Sequence, residues 1–103
     1  MLAKVKLAKR IQTSVFDQEL LDLIAAAIAD IQHAGVTFSY TTVKTNDVIT
    51  NYLVTDPLIS RAIVTYCVMN FGSPDDYDRL KASYDEQKGQ LRESSGYGLE
   101  VVG

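Results

Sequence analysis

Between Asp56 and Gly72 the chain reads DPLISRAIVTYCVMNFG, in which only Ser60, Arg61, Thr65 and Asn70 interrupt an otherwise apolar surface. A helix that is apolar on nearly every side cannot rest with one face in water. It has to lie at the centre of a domain or in a subunit interface. Its start is marked by Asp56, a favoured N-cap residue, and by Pro57, whose missing N–H has no intrahelical partner at the first position in any case. The pattern predicts a helix over 57–71, and the rest of the chain has to wrap it. With 103 residues there is material for one modest core, hence a single domain spanning 1–103.

Three further helices are legible. In LAKVKLAKRI, Leu2, Val5, Ala8 and Ile11 recur at steps of three, which predicts a short amphipathic helix over 2–11 with its lysines on the other face. From Asp17 the chain reads DQELLDLIAAAIADIQHAG. Leu20, Ile24, Ala27, Ile28 and Ile31 form a broad apolar face, Ser14 or Asp17 is positioned to cap, and Gly35 supplies a left-handed stop, so a helix is expected over 17–34. A last helix is expected over 74–93, with Ser73 as cap, Pro74 at the first position and Asp75, Asp76 and Asp78 in the opening turns, where the helix dipole favours acids. Tyr77, Leu80, Tyr84 and Leu91 make its narrow apolar stripe, and Gly96 and Gly98 end the element.

Residues 36–55, VTFSYTTVKTNDVITNYLVT, differ in character. Val36, Phe38 and Tyr40 alternate, and Asn46-Asp47 offers turn chemistry between two β-branched runs, so a β-hairpin projecting from the helices is the preferred reading. A short helix over 48–53, capped by Asn46 or Asp47, is the competing one. The fold class is therefore mainly α: a bundle of three to four helices, a β-rich excursion or hairpin between the second and third, and an extended tail over 94–103.

Composition narrows the function. An apolar content of 47% and a charged content of 22% belong to a globular domain and argue against disorder. No apolar run is long enough to span a membrane, and the basic, mixed N-terminus does not read as a signal peptide. Lys4, Lys6, Lys9 and Arg10 all precede the first acid, Asp17, so a basic arm leads an otherwise acidic chain of net charge −3. General nucleic-acid binders are usually basic overall. That speaks against such a role for the whole domain and leaves a local one open to the arm.

The reactive inventory is short, and neither an enzyme nor a cofactor is expected. His33 belongs to the last turn of the second helix, where a helix C-terminus favours a cation. Cys67 lies in the most apolar helix, as a small hydrophobe would. Asp75, Asp76 and Asp78 resemble a metal cluster, but helix-dipole placement accounts for them. Phosphate-binding glycine loops, nucleophile elbows and dinucleotide fingerprints are missing. Aromatic residues are plentiful instead. Tyr66, Tyr77 and Tyr84 suit a helical core, whereas Tyr40, Tyr52 and Tyr97 lie outside the long helices, and aromatic residues are enriched at interfaces.

Taken together, FDQELLDLIAAAIADIQHAGV (16–36), DPLISRAIVTYCVMNFGSPDDYDRLKASYDEQKGQLR (56–92) and SSGYG (94–98) make a recognisable order of pieces. The chain resembles the small phage head–tail connector (adaptor) proteins, also described as DNA-packaging proteins of the QLRG type, over about two thirds of its length. It departs from the QLRG pattern at Glu93, where Gly would stand. The resemblance implies a non-enzymatic virion component at the head–tail interface, present in the host cytoplasm during assembly. It implies a homo-oligomeric ring, commonly dodecameric, under the portal protein. Such a ring extends the DNA channel and docks a downstream connector, stopper or tail-completion protein.

On that reading Phe38, Tyr40, Tyr52, Arg92, Tyr97, Leu99, Val101 and Val102 are candidate subunit or portal contacts. Tyr97 to Val102 and the 36–55 excursion would be ordered mainly by neighbours. Lys4, Lys6, Lys9 and Arg10 would face the portal or make non-specific contact with passing double-stranded DNA. The alternative is a small helical regulatory or antitoxin-like module that binds its partner as a dimer.

Overall fold

The computed structural model describes residues 1–72 and 74–93. The elements run α1 (Leu2–Lys9), α2 (Asp17–His33), β1 (Thr41–Thr45), β2 (Val48–Leu53), α3 (Pro57–Asn70) and α4 (Tyr77–Glu93). As its composition requires, α3 is central and packs against α1, α2 and α4. Ile59, Ala62, Ile63 and Cys67 of α3 lose all contact with solvent, as do Leu20, Ile24, Ala27 and Ile31 of α2. The alanines let the α2 and α3 backbones approach. Asp56 caps α3 as its sequence demands, its Oδ1 accepting from the Leu58 N–H at 2.9 Å and the Ile59 N–H at 3.1 Å.

The other helix ends follow different rules. At the C-terminus of α2, Gly35 adopts φ 95°. Its N–H reaches the Gln32 carbonyl, and the Val36 N–H reaches the Ile31 carbonyl. This is the paired 5→2 and 6→1 closure for which a left-handed glycine is suited, and fully buried Val36 and Ile31 supply the accompanying apolar contact. At the other end no side chain caps α2; Phe16 holds the cap position. Asp17, a candidate cap, is instead the first helical residue, and its carboxylate bonds Lys6 Nζ at 2.8 Å. The first helix stops at Lys9, before Ile11, because Arg10 turns left-handed (φ 57°) and its N–H returns to the Leu7 carbonyl.

The last helix begins at Tyr77, three residues later than the position of Pro74 predicts, and its first turn closes with the Leu80 N–H on the Asp76 carbonyl. The expected Ser73 cap lies outside the described residues. Tyr84 and Leu91 are buried and Leu80 half-buried, as their stripe requires, but Tyr77 is exposed.

Residues 41–53 form a two-stranded antiparallel hairpin, so the helical alternative over 48–53 is excluded. The turn is Asn46-Asp47 with φ of 54° and 65°, the paired positive values that match the right-handed twist of the flanking strands. The partner of Val43 is Asn51 while that of Lys44 is Ile49, which leaves Thr50 as an extra bulged residue. Its hydroxyl donates to the Val43 carbonyl at 3.3 Å.

The hairpin is anchored by its own chain. Asn51 Oδ1 accepts from the Leu2 N–H at 3.1 Å and the Tyr52 N–H at 2.8 Å, while the Met1 ammonium donates to the Tyr52 carbonyl at 2.8 Å. A strand residue thus caps α1 across the fold. Phe38 and Tyr52 also pack on the helical core. Within 36–55 the pairing, the turn and this anchor are made inside the subunit.

Candidate interaction surfaces

Of the basic arm, two cations are occupied within the subunit. Lys6 pairs with Asp17, and Lys9 Nζ sits 5.8 Å from the centre of the Phe71 ring, itself edge-on to Phe16. This ties α1 to the start of α2 and the end of α3. Lys4 and Arg10 are exposed and make no ion pair among the described residues. Arg10 owes its outward place to the left-handed residue that ends α1. Of the arm's four cations only Lys6 is ion-paired among the described residues, and Lys9 keeps its charge beside the Phe71 ring.

The aromatic candidates form a row. Ring centres lie 6.1 Å apart for Phe38 and Tyr40, and 6.2 Å apart for Tyr40 and Tyr52. Phe38 and Tyr52 turn partly into the core, whereas Tyr40 is 41% exposed at the outer side of the row. Arg92 is exposed in the last turn of α4. Tyr97, Leu99, Val101 and Val102 lie outside the described residues.

Sequence reasoning missed several exposed hydrophobes. Leu7 (79% exposed), Val15 (78%), Val48 and Leu58 are all well exposed. Val15 and Val48 both line an open groove between the start of α2 and the second strand, together with apolar Leu2, Leu21 and Ile49 and polar Ser14, Asp17, Gln18 and Thr50. Single exposed apolar side chains are ordinary, but grouped ones mark interaction sites. A signal was available: Leu7 and Leu58 stand off the apolar spacing of their helices, and Val15 lies in a break between helices where no core position is due.

A second groove, of about 370 Å³, runs between the start of α3 and the end of α4, lined by Leu58, Arg61, Gln87, Gln90, Leu91 and Glu93. Gln87 is buried in its wall, and its Oε1 has no hydrogen-bond partner among the described residues.

Polar chemistry inside the fold is structural. Asp30 of α2 accepts from Tyr84 Oη at 2.6 Å and from Lys88 Nζ at 3.0 Å, and Lys88 lies 4.7 Å from the centre of the Tyr84 ring. Burial pushes the Asp30 carboxyl up, but these two bonds and the positive charge outweigh it and hold the group below its ordinary value. Burial, then the bond to Asp30, drives the Tyr84 phenol far up. Burial likewise pushes the Cys67 thiol up to about 12, the reverse of what a nucleophile needs. His33 is exposed at the end of α2. Asp75 is exposed in the segment leading into α4, Asp78 is exposed in the first turn of α4, and Asp76 pairs with Arg79. No group of three or more metal-ligating side chains occurs among the described residues, nor is any described helix long and apolar enough to cross a membrane.

A family model described as phage connector protein matches residues 1–98, covering every described element. No curated protein and no solved structure matches the chain.

Proposed function

The chain belongs to the phage connector family and is a structural phage protein; from that premise we propose that it oligomerises as a ring beneath the portal protein. The ring extends the DNA channel and offers its far side to the next connector, stopper or tail-completion protein. The observation that carries this reading is the family match, which runs through all four helices and the hairpin. What a ring subunit needs is surface, and Cys67 of this one is buried in packing.

Two features support particular roles. A ring subunit contacts its two neighbours through different patches, and the groove beside Leu58 shares no lining residue with the Val15–Val48 groove. Lys4 and Arg10 suit weak, sequence-independent contact with phosphates, which salt would screen. The few cations of the arm on an acidic subunit leave such contact loose. A conduit through which DNA must slide requires that.

The test is native mass by light scattering, on the chain alone and then mixed with the portal ring of the same phage. A ring, or a monomer that loads onto the portal in multiple copies, is the expected result. A stable dimer indifferent to portal would refute the reading and favour a small dimeric regulator.

A further inference from the structure

We propose that the groove between α3 and α4 is the acceptor for residues 97–102 of a neighbouring copy, so that one subunit's C-terminal segment closes the next subunit's core. This rests on the ring reading above and assigns its contact to named atoms.

The groove is incomplete as it stands. Leu58, in the first turn of the most apolar helix, remains 49% exposed, although Leu91 across from it is buried. Gln87 is 9% exposed, and its amide nitrogen makes a long 3.5 Å contact with Ser83 Oγ, while Oε1 has no partner among the described residues. Buried acceptors are nearly always paired. Because the terminal torsion of glutamine is soft, a small rotation turns this oxygen to an N–H entering the groove. Arg61, three residues beyond Leu58 on the same face of α3, is exposed and makes no ion pair among the described residues. The occupant therefore has to bring apolar side chains, a backbone N–H and a negative charge.

The segment YGLEVV supplies these in one short run. An extended chain sends alternate side chains to opposite sides, so Leu99 and Val101 share one face for Leu58 and Leu91. Glu100, which carries the one charged side chain after Glu93, is set for Arg61. The peptide N–H groups of an extended strand are unpaired until a partner accepts from them, which suits Gln87 Oε1. Contacts of this kind are heterologous: the tail donates and the groove accepts, so each subunit uses both once and a ring can close.

Charge reversal separates this arrangement from its rivals. Arg61→Glu and Glu100→Arg are made separately in the full chain, and circular dichroism checks that each retains the helical content of the parent. Light scattering then measures assembly for each single variant, for their equimolar mixture and for the double variant, alone and with the portal. Each single reversal opposes like charges and is expected to weaken assembly about ten-fold. The mixture is expected to recover, because alternating the two variants around a ring makes every junction complementary.

A mixture as weak as its components, with a recovered double variant, would overturn the proposal and place the segment in its own subunit's groove. Loss by Arg61→Glu that no change at Glu100 rescues would overturn it in favour of the portal as occupant. Variants that assemble and load like the parent would sink the groove while leaving the connector reading intact. A parent chain that neither assembles nor loads would sink both.

Discussion

Tyr84→Phe isolates one of the two polar links, the other made by Lys88, that join α4 to Asp30 of α2. The ring of Tyr84 is 2% exposed and edge-on to Tyr66 at 5.4 Å, so phenylalanine keeps the packing and removes one hydroxyl. That hydroxyl donates to Asp30 Oδ2 at 2.6 Å, joining the end of α2 to the middle of α4 across 54 residues of chain. A hydrogen bond to an ionised partner contributes about 1.5–3 kcal/mol net. The Asp30 side chain is 41% exposed, so water and the Lys88 ammonium compensate in part, and screening brings the expectation to roughly 1 kcal/mol. In a domain of this size that lowers Tm by about 4–8 °C.

The pH dependence carries the sharper test. Asp30 is held below its ordinary 3.8 in the folded state. Its stabilising contribution is therefore fully present above about pH 4 and is lost as pH falls through the lower folded-state value. The Tyr84→Phe deficit should accordingly be constant from pH 7 to pH 5 and shrink only as pH falls through the lowered folded-state value, beneath which the carboxyl is protonated and the bond is an ordinary neutral one. Urea unfolding followed by circular dichroism at pH 7, 5 and 3 measures this. A variant as stable as the parent at pH 7, or a deficit that grows as pH falls, would refute the assignment of the bond to an ionised Asp30.

Asn51→Ala removes the acceptor that caps α1 from the hairpin. It should cost about 1–2 kcal/mol and raise amide exchange at both Leu2 and Tyr52; exchange confined to one of them would show that helix and hairpin are not coupled there. Asp47→Gly relieves a non-glycine residue at φ 65° in a turn that favours Asn-Gly. It should therefore raise stability by about 0.5–1 kcal/mol in thermal unfolding, and a loss instead would mean that the Asp47 side chain contributes to the turn. Cys67, fully buried and with its thiol at about 12, should resist an aromatic disulfide reagent at pH 8 and react completely in urea. Fast reaction of the native protein would show that α3 opens readily.

Most of the helical architecture is set by local chemistry. The Asp56-Pro57 start of α3, the Gly35 stop of α2 and the Asn46-Asp47 turn each impose a backbone conformation within a few residues, and the structure adopts all three. The centrality of α3 follows just as directly, because a helix apolar on nearly every side has no stable place at a surface. Family membership was legible in the same way, since it rests on the order of these pieces.

What local rules do not contain is which partner a side chain meets at long range. Lys6 and Asp17 were read as an arm cation and a helix cap, yet they satisfy each other. Asn51 reads as an ordinary strand residue until Leu2 arrives beside it. Leu7 and Leu58 stand off the apolar spacing of their helices, but how far each stays exposed is decided by which faces of α1 and α3 the other elements cover. The hairpin's anchor on Met1, the Asp30–Tyr84 bond across the core and the groove that sets Leu58 against Leu91 all join residues far apart in the chain. Such contacts exist only after the helices have packed, because packing alone brings those groups within hydrogen-bond reach.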